Sequence, residues 1–366
     1  MNISNQYNPD YSVHPGAILE ETLEARGLSK KEVADRCGIS PKHLNQILHE
    51  KAAIVPDVAI SLEKVLGIAA NIWTNIQSNY ELSLARYQSL KISSEAYQWT
   101  RRFPVNEMTK RNWIAIPSNK AQMANSLLQF FGVSNTNAWE KWFGELQVSY
   151  RTSPSFKQAP EAVSAWLRQG EILSQNIPAS SFDDAKFKSV LEEIKALTVK
   201  SPETFEPEMK KKCADAGVAL VFLGELPKTH LSGATRWLSK DKALIMLSLR
   251  HKTNDHFWFS FFHEAGHILL HGKKMLFLDD IKHSNAEAEK EADRFAANML
   301  IPEKEYRSFS ENMGRADKTC ITQFARKSGI APGIVVGRLQ HDKVIDYSEM
   351  NTLKEKFRLV ENHNTK

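Results

Sequence analysis

The stretch FFHEAGHILLHG, residues 261–272, places two histidines four apart, with a glutamate directly after the first. On a helix, residues four apart stand one turn above each other, so the His263 and His267 imidazoles can reach one divalent ion. Glu264 falls one residue further round, close enough to hold a water on that ion without being a ligand. A divalent ion acidifies such a water and a neighbouring carboxylate can take its proton, which is the chemistry of metal-assisted hydrolysis. His271 shares the face, but at the helical rise it lies ~12 Å along the axis from His263, too far to bind the same ion. It reads as a second-site or structural histidine. A third histidine ten residues after the first is also excluded, because that position is Lys273.

The third ligand must therefore come from another element, and NAEAEKEADRFAANMLIP (285–302) offers three glutamates. In a helix Ala292, Phe295, Ala296 and Met299 form the buried stripe. At ~100° per residue Glu289 lies ~60° from its centre, Glu291 ~100° away on the other side, and Glu287 ~140° away. Glu289 is the expected ligand. Asp293, four residues on, is placed to accept the remaining N–H of a ligand histidine and fix its tautomer. The His/His/Glu donor set favours one Zn²⁺ per chain, with Mn²⁺ as the alternative. A buried helix carrying these groups by accident would leave them unpartnered at a cost, and a second, acidic, inward-facing helix argues against it.

Three short runs precede the motif, VALVFLG (218–224), ATRWL (234–238) and ALIMLSL (243–249), and their composition predicts a small sheet. The motif itself is predicted on one long, largely buried helix from about residue 254 to 270, stopped by Gly272. The strand at 234–238 is expected nearest the site, where its backbone can pair with an extended peptide. His230 and Tyr306 are candidates for stabilising an oxyanion, with nothing in the sequence favouring either.

A second type of chemistry is suggested at the other end. SKKEVADRCGISPKHLNQILHEK (29–51) holds two short helical patterns separated by Gly38. Two tightly packed helices joined by a turn need a small residue in the first, a left-handed-tolerant residue in the turn, and apolar residues at fixed offsets. Ala34, Gly38, and Val33, Ile39, Leu44 and Ile47 meet these needs, while Ser40 can cap the second helix and Pro41 suits its first position. If that helix enters a major groove, Ser40, Lys42, His43, Asn45, Gln46, His49 and Lys51 face the DNA. Asn45 and Gln46 suit adenine; Lys42 and Lys51 suit guanine or phosphate. The bland alternative is a small helical bundle whose polar face touches protein.

Residues 14–82, HPGAILEETL through WTNIQSNYEL, resemble the HigA-type antitoxins among the Xre/Cro-like helix-turn-helix regulators. The resemblance implies a five-helix domain repressing its own promoter, as a homodimer on a palindromic double-stranded operator, and a toxin as a further partner. WFSFFHEAGHILLHG followed by EAEKEADRFAANMLIP resembles the ImmA/IrrE family of metallopeptidases over roughly residues 180–350. That resemblance places His263, His267 and Glu289 on the family's metal ligands and Glu264 on its catalytic glutamate, and implies cleavage of a repressor-like protein.

Between these ends, residues 83–180 read as aromatic-rich helices without chemistry, with Trp139, Trp142 and Trp166 as packing residues. Near the C-terminus QFARKSGIAPGIVVGRL (323–339) overlays EVADRCGISPKHLNQIL without a gap. Gly333 and Val336 replace Lys42 and Asn45, however, which predicts packing or partner binding rather than base reading. Arg338, in place of Ile47, is expected to reach the peptidase domain.

Composition adds bounds. The chain has 366 residues, 42% hydrophobic and 25% charged, a net charge of +5 and three cysteines far apart in sequence. This suits several globular modules, and excludes a disulfide framework or a thiolate zinc knuckle. The charge is compatible with nucleic acid but decides nothing. No apolar run approaches the ~20 residues that span a bilayer, and MNISNQYNPDYSV lacks the regions of a signal peptide, so a cytoplasmic protein without membrane contact is expected. The expected fold is mainly α (α+β). It comprises an N-terminal helix-turn-helix bundle (1–87), a helical connecting region (88–180), and a zincin-like metallopeptidase domain with a small β-sheet (181–366) that carries the helix-turn-helix-like segment at about 320–340. The expected function is a DNA-binding transcription regulator with a zinc-dependent endopeptidase acting on a repressor-like protein or on itself. The alternative is an antitoxin-type or purely DNA-binding autoregulator whose metal domain senses or binds partners without proteolysis.

Overall fold

The computed structural model describes residues 13–89, 94–149, 159–271, 285–314 and 317–358. Gly272, the expected helix stop, and Lys273 lie outside them. The chain divides into two compact units, Met1–Ser94 and Glu95–Lys366.

The first unit is five helices: α1 (Pro15–Ala25), α2 (Lys30–Cys37), α3 (Pro41–Leu48), α4 (Pro56–Leu66) and α5 (Ala70–Ser89). Local chemistry sets the boundaries. The Ser29 hydroxyl accepts the Glu32 N–H to start α2, Gly38 ends it at φ 67°, and the Ser40 hydroxyl accepts the His43 N–H to start α3. Leu19, Val33, Ala34, Leu44, Ile47 and Leu62 are fully buried and Trp73 nearly so, making one core. Helices α1 and α3 approach so closely that a methyl on Gly16 would stand 2.1 Å from the Ile47 carbonyl oxygen. Gly16→Ala is therefore expected to destabilise this unit by about 1–3 kcal/mol through overpacking. Its denaturant midpoint checks this, and an unchanged midpoint would show that α1 can slide at no cost.

In the second unit five helices form an aromatic layer: α6 (Ser94–Thr100), α7 (Val105–Lys110), α8 (Lys120–Phe131), α9 (Thr136–Ser149) and α10 (Pro160–Gln175). Trp139 and Trp166 are fully buried and Trp142 half-buried, as their packing role requires. After α11 (Asp184–Lys195) and α12 (Pro202–Asp215) come β1 (Val218–Phe222), β2 (Gly233–Ser239) and β3 (Lys242–Leu247). The sheet order is β1-β3-β2, with β3 parallel to β1 and antiparallel to β2. Strands this apolar are covered on both faces. Ala219, Val221, Ala234, Leu244 and Met246 pack into the aromatic layer. The Trp166 indole donates to the Leu223 carbonyl at 2.9 Å, and the Lys242 ammonium donates to the Ser174 and Ile177 carbonyls at the end of α10.

Val218, Leu220, Ala243, Ile245 and Leu247 face the other way, into a core shared with α13 (Asn254–Gly266), α14 (Asn285–Leu300), α15 (Glu303–Asn312), α16 (Lys318–Ser328) and α17 (Pro332–His341). The mainly helical class with a small sheet is as the sequence predicts. One difference matters: the helix expected to run to about residue 270 is α-helical only to Gly266 and continues as a π-helix over His267–His271. The C-terminal echo of the helix-turn-helix is also present, with Gly329 at φ 69° between α16 and α17. Its second helix is buried along Gly333, Ile334, Val335, Val336 and Leu339, with Gly333 against Asn254 and Gly337 against Asp255 of α13. Arg338 lies over the Tyr306 ring and pairs with Glu303 and Asp342. The segment after α17 straps this assembly: Lys354 reaches Asp255 at 2.6 Å and Gln340, while Asn254 and Glu355 pair through their backbones. Among the described residues no helix is long and apolar enough to cross a membrane.

Candidate functional site

Helix α13 and its π-helical continuation carry the histidines, and α14 crosses them with Gly266 set against Ala292, two small residues that let the backbones approach. His263 and His267 turn their Nε2 atoms toward one point, 3.0 Å apart. Glu289 joins them, with its oxygens 3.2 Å from His263 Nε2 and 3.6 Å from His267 Nε2. The ligand atoms of these three residues all lie within 4.8 Å of one another. Tetrahedral zinc with bonds of ~2.0–2.1 Å has ligand–ligand edges of ~3.3 Å, so the nearest of these spacings fit a single ion. The other two glutamates of α14 point elsewhere: Glu287 is exposed beside Lys290, and Glu291 bonds His271 Nε2 at 3.1 Å.

The outer nitrogens of both histidines are occupied. His263 Nδ1 meets Asp293 Oδ1 at 2.9 Å, and His267 Nδ1 meets His271 Nδ1 at 3.0 Å. Burial opposes a charged His263 ring, but the hydrogen bonds of Asp293 and Glu289 outweigh it and lift its pKa to about 10. Hydrogen bonds from His263 and His267 hold Glu289 well below the ordinary carboxylate range, which is the same interaction seen from the other partner. Glu264 is buried, and that burial raises its pKa.

Glu264 is clamped by the edge strand β2. The Thr235 hydroxyl donates to Glu264 Oε2 at 2.7 Å and stands 3.1 Å from the Glu264 carbonyl. A methyl on Gly233 would come 2.7 Å from the other carboxylate oxygen, so a larger residue there would displace the Glu264 side chain. Of the two oxyanion candidates, Tyr306 is buried under Arg338 and His230 gives its carbonyl to Arg250.

In the N-terminal unit the exposed side of α3 presents Lys42, Asn45 and Gln46, followed by Lys51, opposite buried Leu44, Ile47 and Leu48. His43 is half-buried. Ser40 is occupied as the cap of α3, and His49 Nδ1 contacts the Asn45 carbonyl at 2.8 Å.

Residues 19–73 match the helix-turn-helix family, and residues 215–340 match the IrrE N-terminal-like domain of peptidase family M78. Virulence-associated protein I of Dichelobacter nodosus is 35% identical over 94 residues, 25% of this chain and 87% of that protein. An uncharacterized HTH-type transcriptional regulator of Escherichia coli K12, YddM, is 35% identical over 71 residues, 19% of this chain and 76% of its own length. The chain joins a helix-turn-helix regulator module to an IrrE-type peptidase module. Among solved structures, an addiction module antidote protein of the HigA family from Coxiella burnetii matches at 31% identity, covering 21% of this chain and 85% of that one, with a TM-score of 0.20. Pseudomonas aeruginosa antitoxin HigA with the higBA promoter matches at 30%, covering 23% and 98%, with a TM-score of 0.21.

The peptidase module is of a metallopeptidase type whose family is typically metal-dependent. Three of its features escape a reading of the sequence. Thr235 and Gly233 lie on a strand, and only the packing of that strand beside α13 brings them to Glu264. The pairing of His271 with Glu291 does not follow from the buried stripe of α14, from whose centre Glu291 lies ~100° away. Its signal was nevertheless present, in histidines at 263, 267 and 271 repeating every four residues.

Proposed function

We propose that this protein is a DNA-binding transcription regulator that carries a zinc-dependent endopeptidase and cleaves a repressor-like protein or itself. The observation that carries the reading is the convergence of His263, His267 and Glu289 beside a buried, clamped Glu264. The proposed regulator module spans residues 1–87 and the metallopeptidase module residues 181–366, with helices α6–α10 of the region between them (88–180) packed on its sheet. His263, His267 and Glu289 would hold the ion, and Asp293 would orient His263. A bound Zn²⁺ supplies Lewis acidity to the scissile carbonyl and to the attacking water. Glu264 takes the proton of that water and returns it to the leaving amine, for which its raised proton affinity suits it. Thr235 holds the carboxylate in place through each transfer. Strand β2 stands at the end of the sheet, paired with β3, and an extended peptide would add alongside it.

In the regulator module Lys42, Asn45, Gln46 and Lys51 would contact a double-stranded operator, with Ser40, His43 and His49 closing the same surface. A homodimer on a palindromic site is the arrangement we propose, and a toxin partner belongs to the antitoxin-type alternative.

Metal loading is expected to be proton-linked. His263 holds a proton up to about pH 10 in the metal-free site, and an incoming ion must displace it. Raising the pH removes that competitor, so zinc affinity should climb about tenfold per pH unit between neutrality and about pH 9. Calorimetry in buffers of different ionisation enthalpy measures the released proton directly. An affinity flat over that range would show that His263 is already neutral in the metal-free site.

The function itself is tested by comparing newly formed protein termini in cells carrying the unaltered protein or Glu264→Gln. Termini present only with the unaltered protein identify both the activity and its target. Identical sets of termini, with regulation intact, would leave the alternative of a regulator that senses or binds partners without proteolysis.

A further inference from the structure

We propose that His271 and Glu291 are positioning residues for the metal ligand His267, forming with it a one-way hydrogen-bonded chain that fixes which of its nitrogens faces the ion. The inference rests on the zinc reading above and concerns what holds that site in register. The direction of the chain follows by elimination. His267 turns Nε2 toward His263 and Glu289, so a metal-binding ring must carry its proton on Nδ1. That N–H needs an acceptor, and the atom 3.0 Å away is His271 Nδ1. Once His271 accepts there, its own proton sits on Nε2, which lies 3.1 Å from Glu291 Oε2. An ionised carboxylate only accepts, so every proton in the chain is assigned and none can be reversed without breaking a bond.

The backbone supports the same arrangement. In an α-helix, residues four apart are offset by ~40° around the axis. The π-helical turn over His267–His271 has a smaller angular step, which brings two residues four apart nearly into line and sets one imidazole beside the other, tilted by 48°. The rings lie 5.1 Å apart, and the His271 side chain is only 9% exposed, so water does not readily compete for the contact. The two ligand histidines are thus backed differently: His263 by Asp293 directly, and His267 through an intervening imidazole by Glu291. The result is a second route by which α14 grips the metal helix.

The test uses the full chain and Zn²⁺ alone, with affinity read by competition against a chromogenic chelator. Glu291→Gln and His271→Ala are each expected to weaken zinc binding by about 10- to 100-fold. The double variant should lose no more than His271→Ala alone, because both residues act through His267. Glu287→Gln, on the same helix but facing away, should bind zinc normally. Thermal stability of the metal-free protein separates positioning from simple structural support, and Glu291→Gln, at a partly exposed position, should leave it unchanged. In the same variant the visible absorption bands of the Co²⁺-loaded protein should shift. Unaltered zinc affinity in Glu291→Gln and His271→Ala would overturn the proposal while sparing the metal site. Failure of the unaltered protein to hold zinc would overturn both.

Discussion

Glu264→Gln is expected to slow peptide hydrolysis about a thousandfold or more while leaving zinc content and operator affinity as they are in the unaltered protein. The substitution preserves shape, so the 2.7 Å contact with Thr235 and the fit against Gly233 can persist. What it removes is the capacity to accept a proton. Glu264 is buried and is not among the three groups whose ligand atoms converge, so the ion should be retained. The decisive measurement pairs two readouts on one preparation: cleavage of a mixed-sequence peptide library followed by mass spectrometry, and metal content by elemental analysis. Full cleavage by a zinc-loaded Gln variant would remove Glu264 from the chemistry. Loss of zinc together with cleavage would instead place the carboxylate in the coordination sphere.

The second large effect concerns stability. Asp255, in the first turn of α13, is 6% exposed, and Lys354 lies 2.6 Å away at 11% exposure. The other carboxylate oxygen of Asp255 is buried without a hydrogen-bond partner among the described residues. Lys354→Met keeps much of the apolar stem and deletes the charge, stranding the carboxylate against Gly337. An uncompensated buried charge costs about 3–5 kcal/mol, so the denaturant midpoint of the second unit should fall steeply. Asp255→Asn introduced into that variant should recover part of the loss, since the two groups are coupled. A loss below about 1 kcal/mol would mean that the pair behaves like an exposed ion pair.

The two ends of the chain differ in how far local sequence determines them. The helix-turn-helix is written in local chemistry: Ser29 and Ser40 as caps, Gly38 where the backbone turns left-handed, and Ala34 where two helices touch. Each signal acts within a few residues and survives without tertiary context. The choice of Glu289 over Glu287 and Glu291 also needed only the helical repeat, and the structure brings that carboxylate to the histidines. Contacts between distant segments were not legible. Nothing local to Thr235 announces its bond to Glu264, and nothing near Lys354 announces Asp255. The aromatic helices gave their amphipathic pattern but not the surface they cover, because burial on one face does not name its partner.

The sandwiching of the sheet bears on how the protein can be dissected. The family match begins at residue 215, which invites expression of a short catalytic fragment. Cutting after α10 would strip the cover from Ala219, Val221, Leu244 and Met246 and leave an oily plane open to water. Such a fragment would clump rather than cleave, and its inactivity would say nothing about the chemistry. A usable truncation must begin upstream of Trp99, so that both covers of the sheet stay with it.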